Sequence, residues 1–121
     1  MGTYEDVVES VIKEMVNNGS LTYGQNGSVI IPDEISSKSV FDGLILRVGV
    51  HINDELDQKL RLHRVRGYAI APEDIEKIIF GYCPLIVRRC ADLLIDVSKN
   101  DIIRALERTV NIENRKAFNN E

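Results

Sequence analysis

The fold class is decided by residues 3–32, TYEDVVESVIKEMVNNGSLTYGQNGSVIIP, which predict a helix followed by a β-hairpin. The apolar residues of 4–17 recur at helical spacing on one face: Val8, Val11, Ile12 and Met15. Thr3 is a suitable N-cap. Asn17-Asn18-Gly19 ends the pattern with residues that tolerate the left-handed conformation of a helix C-terminus. The helix is therefore expected to span residues 4–17.

The hairpin prediction depends on two short β-prone runs, residues 21–23 and 28–31, on either side of Gly24-Gln25-Asn26-Gly27. Pro32 ends the second run or marks it as an edge strand, because proline cannot donate to a sheet ladder. The Gly-rich turn lacks the Lys-Ser/Thr end of a phosphate-binding loop, and no helix follows it.

The middle of the chain has an apolar pattern that does not distinguish helix from strand. Residues 33–39 are polar and predict a loop or a short helical turn. Residues 40–52 fit a helix period and a strand period equally well, and their β-branched content together with Gly49 favours a strand. A helix is then expected from the Asn53 cap to Gly67, with a strand over 59–70 as the alternative, followed by a short strand over 68–71.

The last third predicts three helices. Pro72 suits the first position of a helix through Phe80, which Gly81 closes. Pro84 begins a second helix. Its inward-facing residues are predicted to be Leu85, Ile86, Cys90, Leu93, Leu94 and Val97. Ser98 or Asn100 caps the last helix, which directs Ile102, Ile103, Leu106 and Val110 inward.

Together these elements predict one α+β domain over residues 1–121. It has an N-terminal helix, a β-hairpin forming a small antiparallel sheet, and a helical C-terminal half. Residues 113–121 are polar and are expected to form a frayed tail.

Charge is divided between the two halves of the chain. Residues 1–58 hold ten acids and three bases, whereas residues 59–121 hold twelve bases and nine acids. The change falls at residues 59–66, KLRLHRVR, which carry four fixed positive charges. Such asymmetry indicates an interaction surface.

The candidate binding residues are arginines of the basic half: Arg61, Arg64, Arg66, Arg88 and Arg89. Clustered in space, they could hold a phosphate, a nucleotide, RNA or an acidic protein face. Scattered or paired with carboxylates of the same chain, they are an ordinary solvated surface. The sequence does not decide between a binding cluster and a solvated surface.

Catalytic and metal chemistry find little support in the sequence. His51, His63, Cys83 and Cys90 lack the close pairing of zinc ligands, so no metal and no cofactor is expected. Cys83 precedes Pro84 at a predicted helix start, where the dipole would lower the thiol pKa, but an inert cysteine is favoured. An enzyme is the less favoured class.

Location is predicted from three further features. No secretory signal is visible, and no apolar run approaches the roughly twenty residues that span a bilayer. Two cysteines are too few for a disulfide scaffold. A cytoplasmic protein with no membrane partner is expected.

The leading functional hypothesis is a small non-enzymatic binding or regulatory module, of the kind found as accessory proteins of bacteria or phages. It would act through protein–protein contacts, with a protein partner, a second copy of itself, or both. The alternatives are a binder of a phosphorylated small molecule or nucleotide through the arginines, and a nucleic-acid-binding protein. Nucleic acid is less favoured because the chain has a net charge of -4.

Overall fold

A computed structural model describes the backbone of residues 3–66 and 72–119, and the side chains of residues 3–59 and 73–110. The elements follow in the order α1 (Tyr4–Asn17), β1 (Thr22–Tyr23), β2 (Val29–Ile30), α2 (Ser37–Arg66), α3 (Pro72–Asp92) and α4 (Lys99–Asn119). The α+β prediction is confirmed, with helix as the dominant component. The strand predicted over 68–71 lies outside the described residues, and the frayed tail over 113–121 remains a prediction.

Helix α1 forms where its local sequence predicts it. Thr3 and Asp6 make a reciprocal capping box: each backbone N–H donates to the other residue's side chain at 3.2 Å. All four predicted core residues of the helix are buried. Gly19, just past the end, has a φ of 87°, the left-handed conformation in which glycine carries no steric cost.

The hairpin is confirmed with a short ladder. Strands β1 and β2 pair antiparallel, Thr22 opposite Ile30 and Tyr23 opposite Val29. Gly24 and Ser28 close the loop through a 2.7 Å backbone hydrogen bond, and Gly27 takes a φ of 82° at the turn. Leu21, immediately before β1, is buried and so joins the hairpin to the core.

The strand favoured over residues 40–52 is wrong: this stretch lies inside the 30-residue helix α2, which begins at Ser37 and not at Asn53. Buried residues of α2 follow the 3.6-residue period: Val40, Leu44, Ile45, Val48, Ile52 and Leu56. Leu46 and Val50, which a strand would have turned to the same face as Leu44, are more than half exposed. Packing on three other helices outweighs the small propensity cost of β-branched residues.

The two helices predicted over 72–97 are a single helix, α3, with Pro84 inside it. Tyr82, Cys83 and Ile86 are all buried around the proline, so core contacts on both sides hold the helix together despite the lost hydrogen bond. Pro84 itself is exposed. Gly81 does not end the helix; it leaves room for a ring of α1.

That ring belongs to Tyr4, and it fixes α1 against α3. A Cβ at Gly81 would clash with Tyr4 Cε2, and the Tyr4 and Tyr82 ring centroids are 4.4 Å apart. Burial, followed by the negative charge of Glu55 and by Tyr4, raises the pKa of Tyr82 to about 12.

Helix α4 completes the core. Its start is a second capping box between Ser98 and Asp101, which confirms Ser98 as the cap.

Candidate functional site

Helix α3 is apolar on two sides. Its core side buries Ile75, Ile78, Ile79, Tyr82, Cys83, Ile86 and Cys90. On the side away from the core, a second set of apolar residues recurs at alternating spacings of four and three. This set, named the apolar row, consists of Phe80, Pro84, Val87, Ala91 and, just past the helix, Leu94. All five are exposed, and Phe80, Val87 and Leu94 are 49%, 36% and 89% accessible.

Leu94 has an uncommon backbone conformation. It follows α3 with a φ of 61°, and among the described residues it is the only non-glycine with positive φ. Leu94 N–H donates to Ala91 at 3.1 Å and Ile95 N–H donates to Cys90 at 2.8 Å, the bonding of a Schellman C-cap. Glycine is usual at this position, because a side chain there costs about 1–2 kcal/mol.

The prediction that Leu94 faces inward is wrong. Leu93 and Ile95 on either side of it are each only 7% exposed, so the turn buries its neighbours and directs Leu94 to solvent. A large apolar side chain is therefore held outward in a conformation that destabilises the fold.

The two described arginines of the predicted site differ in their surroundings. Arg89 forms an ion pair with Glu9 of α1. Arg88 is exposed and lies with Arg89 in a small depression that Glu5 and Glu9 also line. One of the two charges is thus neutralised by a carboxylate of the same chain, and the other lies among acidic residues.

Arg61, Arg64 and Arg66 lie in the last two turns of α2, with side chains outside the described part. The clustering of these three arginines with Arg88 and Arg89, and an anion site at residues 61–66, remain predictions.

A groove of about 360 Å³ lies between α1, the hairpin turn and the end of α3. Its lining includes Ile12, Ser28, Val29, Arg89 and Asp92. An anion entering it would meet the Asp92 carboxylate and an arginine already paired with Glu9. The charges of this groove therefore disfavour a phosphorylated ligand.

The described part of the chain contains neither a group of metal ligands nor a membrane-spanning helix. Its His, Cys, Asp and Glu side chains form no group of three that could hold an ion. No helix within the described ranges is both long and apolar enough to cross a bilayer.

Cys83 is not at a helix start. It is the twelfth residue of α3 and fully buried, so the dipole argument for a reactive thiol fails. Burial raises the pKa of Cys83, despite the opposing charge of Lys99, and burial raises the pKa of Cys90 to about 11. Both cysteines are free, as expected for two thiols seven residues apart on one helix.

We expect both thiols to be nearly inert towards DTNB in the folded protein at pH 8, because the thiolate is the reactive species and burial disfavours it. Both should react rapidly after unfolding in guanidinium chloride. Rapid reaction of one thiol in the native state would show that its surroundings open to solvent.

Sequence reasoning missed the apolar row because Gly81 and Pro84 were interpreted as helix boundaries. Once residues 72–92 form one helix, the alternating spacing from Phe80 to Leu94 becomes visible.

The chain matches no protein-family model, no curated protein and no solved structure at a significant level.

Proposed function

We propose that this protein is a small non-enzymatic binding module that acts through protein–protein contact, with the apolar row as its contact surface. The observation that carries the proposal is the exposure of this row on the side of α3 away from the core. Single exposed apolar residues are common on proteins, whereas contiguous apolar surface is typical of binding sites.

The energetics of the row support a contact surface. Covering one exposed Phe, Val or Leu side chain stabilises a complex by about 1.5–3 kcal/mol when its burial becomes complete. Phe80, Val87 and Leu94 lie in line with two smaller residues between them, so one partner surface could cover all of them. The exposed part of these side chains does not add to the stability of the folded monomer.

The proposal includes a regulatory role in the cytoplasm, as expected from the sequence. The two free, buried thiols suit a reducing compartment. The phosphate-binding alternative is less well supported, because Arg89 is paired with Glu9 and Arg88 lies beside acidic residues.

Site-specific photo-crosslinking in the cells that produce the protein tests the proposal. A benzophenone amino acid placed at position 80 is expected to form a discrete adduct with another polypeptide on irradiation. The matched control is position 46 on α2, where Leu46 is 59% exposed and apolar but outside the row. Adducts that form equally from both positions, or none from position 80, would contradict the proposal.

A further inference from the structure

The hairpin presents backbone hydrogen-bonding groups along both of its outer edges. Gly24 N–H donates to the Ser28 carbonyl at 2.7 Å, where the two strands meet the turn. The next pair, Tyr23 and Val29, is therefore a non-hydrogen-bonded pair of the antiparallel ladder. The N–H and carbonyl groups of both residues point away from the hairpin, towards the place that a third strand would take.

The outer edge of β1 is partly closed, whereas that of β2 is open. Leu21, two residues before Tyr23, donates its N–H to the Met15 carbonyl of α1 at 3.0 Å. On β2, the N–H groups of Val29 and Ile31 have no hydrogen-bond partner among the described residues. The groove beside the hairpin turn is lined by the turn and Val29 but by no residue of β1, so it follows this open edge.

The open edge carries no charge that would oppose pairing. Natural proteins commonly protect an edge strand with lysine or another charged side chain, because an unprotected edge pairs with other chains. Residues 15–32 contain no charged side chain. Pro32 cannot donate a hydrogen bond, so the usable edge is residues 29–31 and its centre is Ile30.

We propose that the open edge of β2 pairs with the same edge of a second copy of the chain, antiparallel about a two-fold axis at Ile30. The two hairpins then form one four-stranded sheet. Val29 lies opposite the partner's Ile31, and each such pair exchanges both N–H···O bonds. A second copy suits this edge because the rotation brings every donor opposite an acceptor and no charge opposite another.

The side chains on both faces of the sheet suit the same register. Ile30 is 44% exposed on the outer face and would lie directly opposite the partner's Ile30, in the contact that apolar cross-strand pairs make. On the inner face, the partner's Ile31 would lie beside Val29, over the groove that the buried residues Ile12 and Leu93 line. This surface is separate from the apolar row, and the inference does not depend on the function proposed above.

Light scattering and sedimentation equilibrium of the full chain test the pairing. The mass is expected to rise with concentration from 13.7 kDa towards twice that value. Ile30→Lys should raise the dissociation constant of the dimer about tenfold or more, because both copies lose an apolar contact and place like charges opposite each other. The matched control is Thr22→Lys, which adds the same charge to the residue opposite Ile30 within the hairpin, on the edge away from the partner. It should leave the dissociation constant unchanged.

A charge exchange separates pairing from damage to the hairpin. Ile30→Lys and Ile30→Glu should each be monomeric alone, and an equimolar mixture should form the heterodimer, because opposite charges then face each other across the axis. Amide hydrogen exchange gives a second readout. The amides of Val29 and Ile31 should become protected as concentration rises, whereas the Ile30 amide, bonded within the hairpin, should be protected to the same extent throughout.

A chain that stays monomeric at about 1 mM would overturn the inference, because a dissociation constant of about 1 mM would leave half of the chains dimeric there. A dimer that Val87→Ser dissociates and Ile30→Lys does not would also overturn it, since the second copy would then lie on the apolar row. A mixture of the two charged variants that stays monomeric would contradict the register about Ile30. None of these results bears on the crosslinking at position 80, which tests the proposed function separately.

Discussion

Ile86→Ala is expected to lower the free energy of unfolding by about 2–5 kcal/mol, the range for removing a large aliphatic side chain from a core. Ile86 is fully buried on the core side of α3. Its loss removes apolar burial and leaves a cavity that neighbouring side chains fill only in part. Urea denaturation followed by circular dichroism measures the change, and a large part of the typical stability of a single domain would be lost.

Val87→Ala is the matched control, because the next residue of the same helix belongs to the apolar row. We expect a change within about 0.5 kcal/mol, as for most surface substitutions. The contrast between neighbouring residues tests the division of α3 into a core side and a free side. If Val87→Ala destabilised the protein as much as Ile86→Ala, the row would be part of the core and the proposed contact surface would not exist.

Gly49→Ala is expected to destabilise the protein by about 1–2 kcal/mol, although alanine is the better helix former by about 1 kcal/mol. A Cβ at position 49 would lie 2.5 Å from Thr109 Cγ2, which is closer than packed carbon atoms approach, and at an ordinary 3.4 Å from Thr109 Cβ. Helices α2 and α4 would have to separate, or Thr109 would have to leave its rotamer. Thermal and urea unfolding measure the effect.

The structure supplies both a control and a rescue for Gly49→Ala. Gly43 lies in the same helix, and a Cβ there would meet Met15 Cε at an ordinary 3.5 Å. Gly43→Ala should therefore stabilise the protein by about 0.5–1 kcal/mol through helix propensity. Thr109→Ser removes Cγ2 and keeps the hydroxyl that donates to the Ala105 carbonyl at 2.9 Å.

In the double variant, Thr109→Ser should recover most of the loss caused by Gly49→Ala, with a coupling energy above about 0.5 kcal/mol. Additive effects of the two substitutions would show that the two residues do not meet. Equal stabilisation by Gly49→Ala and Gly43→Ala would show that α2 and α4 lie further apart than described.

Much of the candidate site could not be predicted, since it depends on contacts between distant residues. The sequence identified Arg88 and Arg89 as a basic pair, but Arg89 lies beside Glu9, eighty positions away in the chain. Pro84 looks like a helix start from its neighbours, and core contacts keep it inside α3. The apolar row can be recognised only when residues 72–92 are known to form one helix, because Gly81 and Pro84 would otherwise divide it.

What the sequence determined by itself is local. The capping boxes at Thr3–Asp6 and Ser98–Asp101, the end of α1 and the hairpin turn all depend on residues within a few positions of one another, whose hydrogen bonds form without the rest of the fold. Only the tertiary structure decided the roles of Gly49, Gly81 and Leu94. Each depends on what lies beside it in space: Thr109, Tyr4, and the burial of Leu93 and Ile95. Local pattern cannot contain that information, because the neighbours that act on these residues come from other parts of the chain or from the packing of the core.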